Sequence, residues 1–141
     1  DFAVTDLLPY PTATIAVTLD DIGAQVLCGE CVIGLSREIG DTQYGASVGI
    51  VDYSIKQADV WGNYSITERA FAKRGEFTVW VEAEAVTELQ HILASYRATP
   101  AVYVGSDFYA STLIYGFYKD FSIDIATPSY SVCTIQVEGL V

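Results

Sequence analysis

The chain has 141 residues, 51% of them hydrophobic, with 18 Asp and Glu against 7 Lys and Arg and a net charge of −11. That acidity argues against nucleic-acid binding, which needs a cationic footprint. No apolar run approaches the ~18 residues of a membrane span, and an odd count of three cysteines argues against a disulfide-stapled scaffold. The length fits one domain with room for an appended piece, and a mean hydropathy of +0.31 suggests apolar surface buried against a partner.

The N-terminus, Asp1-Phe2-Ala3-Val4, has neither a basic region nor an apolar core and so does not read as a signal peptide. The lack of an initiator Met suggests a piece excised from something longer. Pro9 and Pro11 mark a loop. Ile15, Val17 and Leu19 then share one face of an alternating run, the signature of a half-buried strand. Asp20-Asp21 reads as a hairpin turn into a second strand near 26–34. That strand contains Cys28-Gly29-Glu30-Cys31, whose parity puts the two thiols on opposite faces. A redox C-x-x-C should instead open a helix, and a zinc site would need a second ligand pair where the chain offers only Cys133 and His91. All three thiols are expected to be reduced.

Residues 37–63 are rich in turn chemistry, with Gly40-Asp41, Gly45, Gly49 and Gly62-Asn63. They predict a partly extended excursion with one or two short strands, near 47–52 in particular. Asp52, Asp59 and Asn63 fit no EF-hand spacing, and Asn63-Tyr64-Ser65 matches a glycosylation sequon by accident of composition. Strands follow near 64–73 and 76–82, where Phe77, Val79 and Val81 share a face. The period then changes. Val86, Leu89, Leu93 and Tyr96 form one helical stripe over about 84–97, with Glu82, Glu84 and Glu88 near the positive end and Arg97 near the negative end. Thr99-Pro100 stops it. His91, the only histidine, lies opposite the stripe and faces solvent, with no partner for general-base work.

The rest of the chain returns to alternation. Strands are expected near 101–104, 112–118, 121–125 and 132–138, with Cys133, Ile135 and Val137 on one face. The class is therefore mostly β (α+β): antiparallel, sandwich-like sheets with one principal helix near 84–97. Aromatics are abundant, with 10 Tyr, 6 Phe and 2 Trp. Tyr109, Tyr115, Phe117, Tyr118 and Phe121, with Tyr44, Tyr53 and Trp61 from the excursion, are the candidate interface residues, since such side chains supply rigid contact area. In the stretch 108–121, Leu113, Tyr115 and Phe117 share one face and Thr112, Ile114, Gly116 and Tyr118 the other. One long bent strand or two neighbouring strands are expected, with Gly116 allowing a close approach or a bulge. Tyr118 is expected to serve assembly more than domain stability. No catalytic residue, metal or cofactor is expected.

Several long, ordered segments resemble a bacteriophage and prophage tail-protein family. They are Ile39-Gly40-Asp41-Thr42-Gln43-Tyr44-Gly45-Ala46-Ser47-Val48-Gly49, then Asp52-Tyr53-Ser54, Lys56 and Trp61-Gly62-Asn63, then Glu68 to Arg74 and Arg97-Ala98-Thr99-Pro100-Ala101. Tyr115-Gly116-Phe117-Tyr118-Lys119-Asp120-Phe121-Ser122-Ile123 and the ending Cys133 to Leu140 complete the likeness, which covers about residues 26–141. Ile55 and Gln57-Ala58 depart from it, standing where the family is more polar. The resemblance implies a minor tail or tail-tip component of a virion, assembled in the bacterial cytoplasm through contacts with other tail proteins and with further copies of itself. It also implies carbohydrate-binding-like modules upstream. Residues 1–34 resemble the closing strands of such a sandwich, and 35–141 form the tail-protein module. It supplies no catalytic residues. The alternative is a lectin-like adhesion module for host surface glycan. A glycan-cleaving enzyme would need paired carboxylates in an apolar pocket, and the acids here alternate on solvent faces.

Overall fold

The computed structural model describes residues 1–140 apart from Asp6, Leu8, Pro9, Asp21, Ile22, Ala24 and Gln25. The chain forms two units, one of Ala3–Arg37 and one of Asp1–Phe2 with Glu38–Val141. The architecture of the second is mostly β and antiparallel, with a single α-helix, as the alternating and helical periods require.

The smaller unit corrects the sequence reading. Residues 14–19 and 26–34 were expected to be strands, yet among the described residues of this unit none pairs into a ladder. Ile15, Val17 and Leu19 remain about half exposed. Alternation prescribes which side chains share a face, but a strand also needs a partner for its N–H and C=O groups, and none is supplied here. Cys28 and Cys31 are free and exposed, flanking a bend at Gly29 rather than lying in a strand. Pro9 and Asp21, on which the expected loop and hairpin turn partly rested, lie outside the described residues.

The larger unit is a six-stranded sheet with a hairpin arm. Its strands are β1 (Asp41–Thr42), β2 (Ser47–Asp52), β5 (Phe71–Glu82), β6 (Ala101–Val104), β7 (Leu113–Asp124) and β8 (Tyr130–Gly139). The order is β1-β5-β8-β7-β6, with β2 also pairing β5. The arm is β3 (Ile55–Ala58) with β4 (Tyr64–Thr67). The turn-rich excursion thus holds β1, β2 and β3, more strand than its glycines suggested. The run expected as one strand over 64–73 is broken at Glu68–Ala70. There the Tyr53 N–H donates to the Ala70 carbonyl at 3.3 Å, and the Arg69 N–H to Ser54 Oγ at 3.1 Å. That joint separates the β2–β5 pairing from the β3–β4 pairing.

The core lies on one face of the sheet. Phe77, Val79 and Val81 of β5, Ile114 of β7, and Cys133, Ile135 and Val137 of β8 pack with Leu89 and Leu93 of α1 (Val86–Tyr96). The helix is shorter than the stripe suggested because Ala83–Ala85 forms a 3-10 turn. Its last turn is closed by the Arg97 guanidinium, which donates to the Ala94 carbonyl at 2.9 Å, one of the carbonyls a helix end leaves without a partner. Cys133 is fully buried, and burial pushes its thiol pKa up, as expected of an inert core thiol. His91 is exposed, on the side of the helix away from Leu89 and Leu93.

β7 is one long strand with one close approach and one bulge. Gly116 allows the close approach to β8 that its position suggested. The bulge falls instead at Lys119, between the pairs Tyr118–Val137 and Asp120–Gln136. The extra residue returns Phe121 and Ile123 to the core face, opposite Ile135 and Cys133.

Tyr118 and Phe121 are partly buried and pack against the core cluster, on the face opposite Tyr115 and Phe117. Their rings meet edge-on at 5.6 Å, and the Tyr118 hydroxyl donates to the Leu93 carbonyl at 2.7 Å. Tyr118→Phe removes only that hydrogen bond and should cost about 1 kcal/mol. Tyr118→Ala also removes the ring and should cost about 3 kcal/mol. Urea unfolding of the two variants checks this. Equal midpoints for Tyr118→Ala and wild type would return Tyr118 to an assembly role.

Candidate functional site

Among the described residues, His91 is an exposed helix residue and Cys133 a buried core thiol. No group of three or more His, Cys, Asp or Glu side chains is placed to hold a metal, again among the described residues. Nor, among the described residues, is any helix long and apolar enough to cross a membrane. What the fold does place outward is apolar side chains at turns, along the arm, and on the sheet face opposite the core.

Among the candidate aromatics, Tyr44 and Trp61 stand at turn tips. Tyr44 is fully exposed between β1 and β2, beside Gly45, whose φ of 105° suits glycine. Trp61, 84% exposed, and its neighbour Val60 crown the β3–β4 arm. Their turn is built by Asp59. Its carboxylate accepts from the backbone N–H groups of Trp61 and Asn63 at 2.8 Å and from the Asn63 side-chain amide at 2.9 Å. The Asp59 N–H donates to the Asn63 carbonyl at 2.9 Å. Trp61 is thus presented by an ordered turn, with little left to order on contact. The arm also bears a shallow cavity of about 260 Å³ lined by Gln57, Ala58, Asp59, Asn63, Tyr64 and Ser65.

These bonds, the Asn63 side-chain amide first, hold the Asp59 pKa below its ordinary value. A carboxylate depressed in the folded chain contributes above its unfolded pKa and ceases to contribute as pH falls through its folded pKa. The Trp61 and Asn63 amide resonances should stay constant down to about pH 5 and move only below about pH 4. Asp59→Asn should abolish that acid step. Amides indifferent to acid in the wild-type chain would show that the carboxylate does not hold the turn.

Tyr109 lies in the loop between β6 and β7, edge-on to Phe108 with ring centroids 5.1 Å apart, and both are well exposed. The loop is anchored by the buried Thr112. Its hydroxyl lies 2.7 Å from the Tyr109 carbonyl and 3.1 Å from that of Ser106, and accepts from the Ser106 N–H at 3.0 Å.

Tyr115 and Phe117 are half-buried on the outer face of the sheet, as their parity requires. Tyr53 reaches the same face, where its hydroxyl donates to Glu138 Oε1 at 2.8 Å while Lys119 Nζ lies 2.9 Å from Oε2. The lysine, then the tyrosine, draw the Glu138 pKa down, and Glu138 in turn raises that of Tyr53. This polar trio borders an apolar area made of Leu113, Tyr115 and Phe117 of β7 with Val102 and Val104 of β6, which pair with Tyr115 and Leu113.

The candidates therefore separate into turn tips, one loop, the outer face and, for Tyr118 and Phe121, partly buried positions against the core. The aromatic count could not single out Val60, Val102 or Val104, all exposed. The signal for the last two was present: Ala101-Val102-Tyr103-Val104 follows a proline and carries no charge. No protein-family model matches the chain, and no curated protein matches it.

Proposed function

We propose that this chain is a non-catalytic structural module that works through protein–protein contacts, as a minor tail or tail-tip component of a bacteriophage or prophage virion. The observation that carries the assembly role is the set of ordered, outward apolar groups, Tyr44, Val60-Trp61 and Phe108-Tyr109, on a chain otherwise strongly acidic. Aromatic side chains held outward in this way suit contact with a partner, since such residues are enriched at interfaces. The tail assignment rests on the resemblance of residues 26–141. In this role the chain acts in the particle, with other tail proteins as partners and without metal or cofactor.

The test is the composition of particles. Gradient-purified virions from cells carrying the gene should contain the chain's peptides at constant stoichiometry. Trp61→Ala should reduce its incorporation while leaving the melting of the isolated chain within a few degrees of wild type. Particles that form, infect and contain none of the chain would refute the assignment. A second reading, host-glycan binding, is favoured by one feature, the exposed Trp61 ring on the turn that also borders the shallow cavity. Glycan binding by isolated wild-type chain that Trp61→Ala abolishes would select it.

A further inference from the structure

β6 is an edge strand, and the register shows which of its groups are unspent. The Gly105 N–H donates to the Thr112 carbonyl at 3.2 Å, and Tyr103 pairs with Ile114 one alternation earlier. Across β7, the Leu140 N–H donates to the Tyr115 carbonyl at 2.9 Å, so Tyr115 turns its backbone groups toward β8 and not toward Val102. Backbone groups alternate sides along an antiparallel strand. Ala101, Tyr103 and Gly105 thus spend theirs on β7, while Val102 and Val104 point theirs away from the sheet. Among the described residues no backbone bond reaches that side.

Most exposed edges are blunted by a charge, a proline or a bulge within the strand. Ala101–Val104 has none of these. The nearest charged residues in sequence are Arg97 and Asp107. The side chains beside the edge on the outer face, Val102 (40% exposed), Val104 (38% exposed), Leu113, Tyr115 and Phe117, are all uncharged. In a chain of net charge −11, two copies repel over most of their surface, and here they meet neutral ground. The opposite edge is less continuous, because β1 and β2 meet β5 as separate pieces with Gln43–Ala46 between them.

We infer that β6 pairs with β6 of a second copy, antiparallel about a two-fold axis at Tyr103, joining two six-stranded sheets into one. The edge is self-complementary in that register. Val102 of one copy stands opposite Val104 of the other, and each such pair exchanges two hydrogen bonds through the groups left free. The same step brings the two outer apolar areas together across the axis. This names a partner for the assembly role proposed above and rests on that reading for its biological use, while the pairing itself stands on the sheet edge alone.

The decisive variant is Val104→Pro in the full chain. It deletes a backbone N–H that the fold does not use and that the pairing does, at an edge position where proline is tolerated. Sedimentation equilibrium over a dilution series reaching about 1 mM should give twice the chain mass for wild type and the single mass for Val104→Pro, with its thermal melt retained. Val102→Lys, which places a charge at the axis without touching the backbone, should do the same and replaces the proline variant if that one does not fold. In wild type, hydrogen exchange at the Val102 and Val104 amides should slow as concentration rises. A wild-type chain that stays monomeric throughout, a dimer that survives Val102→Lys, or fast exchange at both amides at every concentration would each overturn the pairing. A dimer with these properties in a chain absent from virions would refute the tail assignment and leave the pairing standing.

Discussion

Gly116→Ala should destabilise the larger unit by about 3 kcal/mol, at the upper end for overpacking. A Cβ at this position would lie 2.0 Å from the Glu138 carbonyl oxygen and 2.6 Å from the Gly139 Cα. Both obstacles are backbone, so no side-chain rotation relieves them. Gly116 faces Gly139 across β7–β8 and Ala101 across β6–β7, and a shift that frees the new methyl disturbs both ladders. Gly49→Ala is the control. Its Cβ would meet only the Arg74 side chain, at 3.1 Å and beyond, which can move aside, and alanine suits a strand slightly better than glycine. Its effect should stay within about 0.5 kcal/mol. Urea midpoints of the two variants measure the contrast. Similar midpoints would mean that β7 and β8 separate at Gly116 without loss.

Where side-chain period and hydrogen-bond pairing agree, the sequence was readable. Phe77, Val79 and Val81 alternate in the sequence and are buried in β5, and Cys133, Ile135 and Val137 do the same in β8. The change of period at Val86 marked the helix to within a turn. What stayed hidden depends on events across the ladder. Nothing in Tyr118-Lys119-Asp120 announces a bulge, yet that one residue decides that Phe121 faces the core and not the side on which Phe117 lies. Ile15, Val17 and Leu19 alternate as well as any strand in the chain, but finding no partner in the described part of their unit they stay unpaired. The candidate surface was legible to the same degree. Trp61 sits beside Gly62-Asn63, turn chemistry that places it at a tip, whereas Tyr118 is equally aromatic and packs partly buried against the core. For the edge at Val102 and Val104 the sequence carried a proline before an uncharged apolar run, but which strand ends a sheet is a property of topology that this signal does not reach.

Leu93→Ala should cost about 2–5 kcal/mol, and the same holds for Leu89→Ala. These are the two buried residues of α1, and they pack into the cluster that holds Phe77, Ile114 and Ile135. The helix has little else to rely on. Its Ala85 cap makes no side-chain hydrogen bond, and an isolated helix of 11 residues is marginal in water. Its formation is therefore tied to docking, and docking to these two leucines. Removing either leaves a void against the sheet, and with it a weaker hold on Tyr118, whose hydroxyl bonds the Leu93 carbonyl. Because helix and sheet share one core, loss should be cooperative: helical circular dichroism and the near-ultraviolet signal of the sheet's Trp80 should fall in a single transition shifted to lower temperature. Ala94→Gly, at an exposed position of the same helix, weakens helix propensity without opening the core and should cost only about 1 kcal/mol. If Leu93→Ala instead abolishes the helical signal while the sheet melts at its wild-type temperature, α1 is a separable flap, and the core of the sheet is stable uncovered.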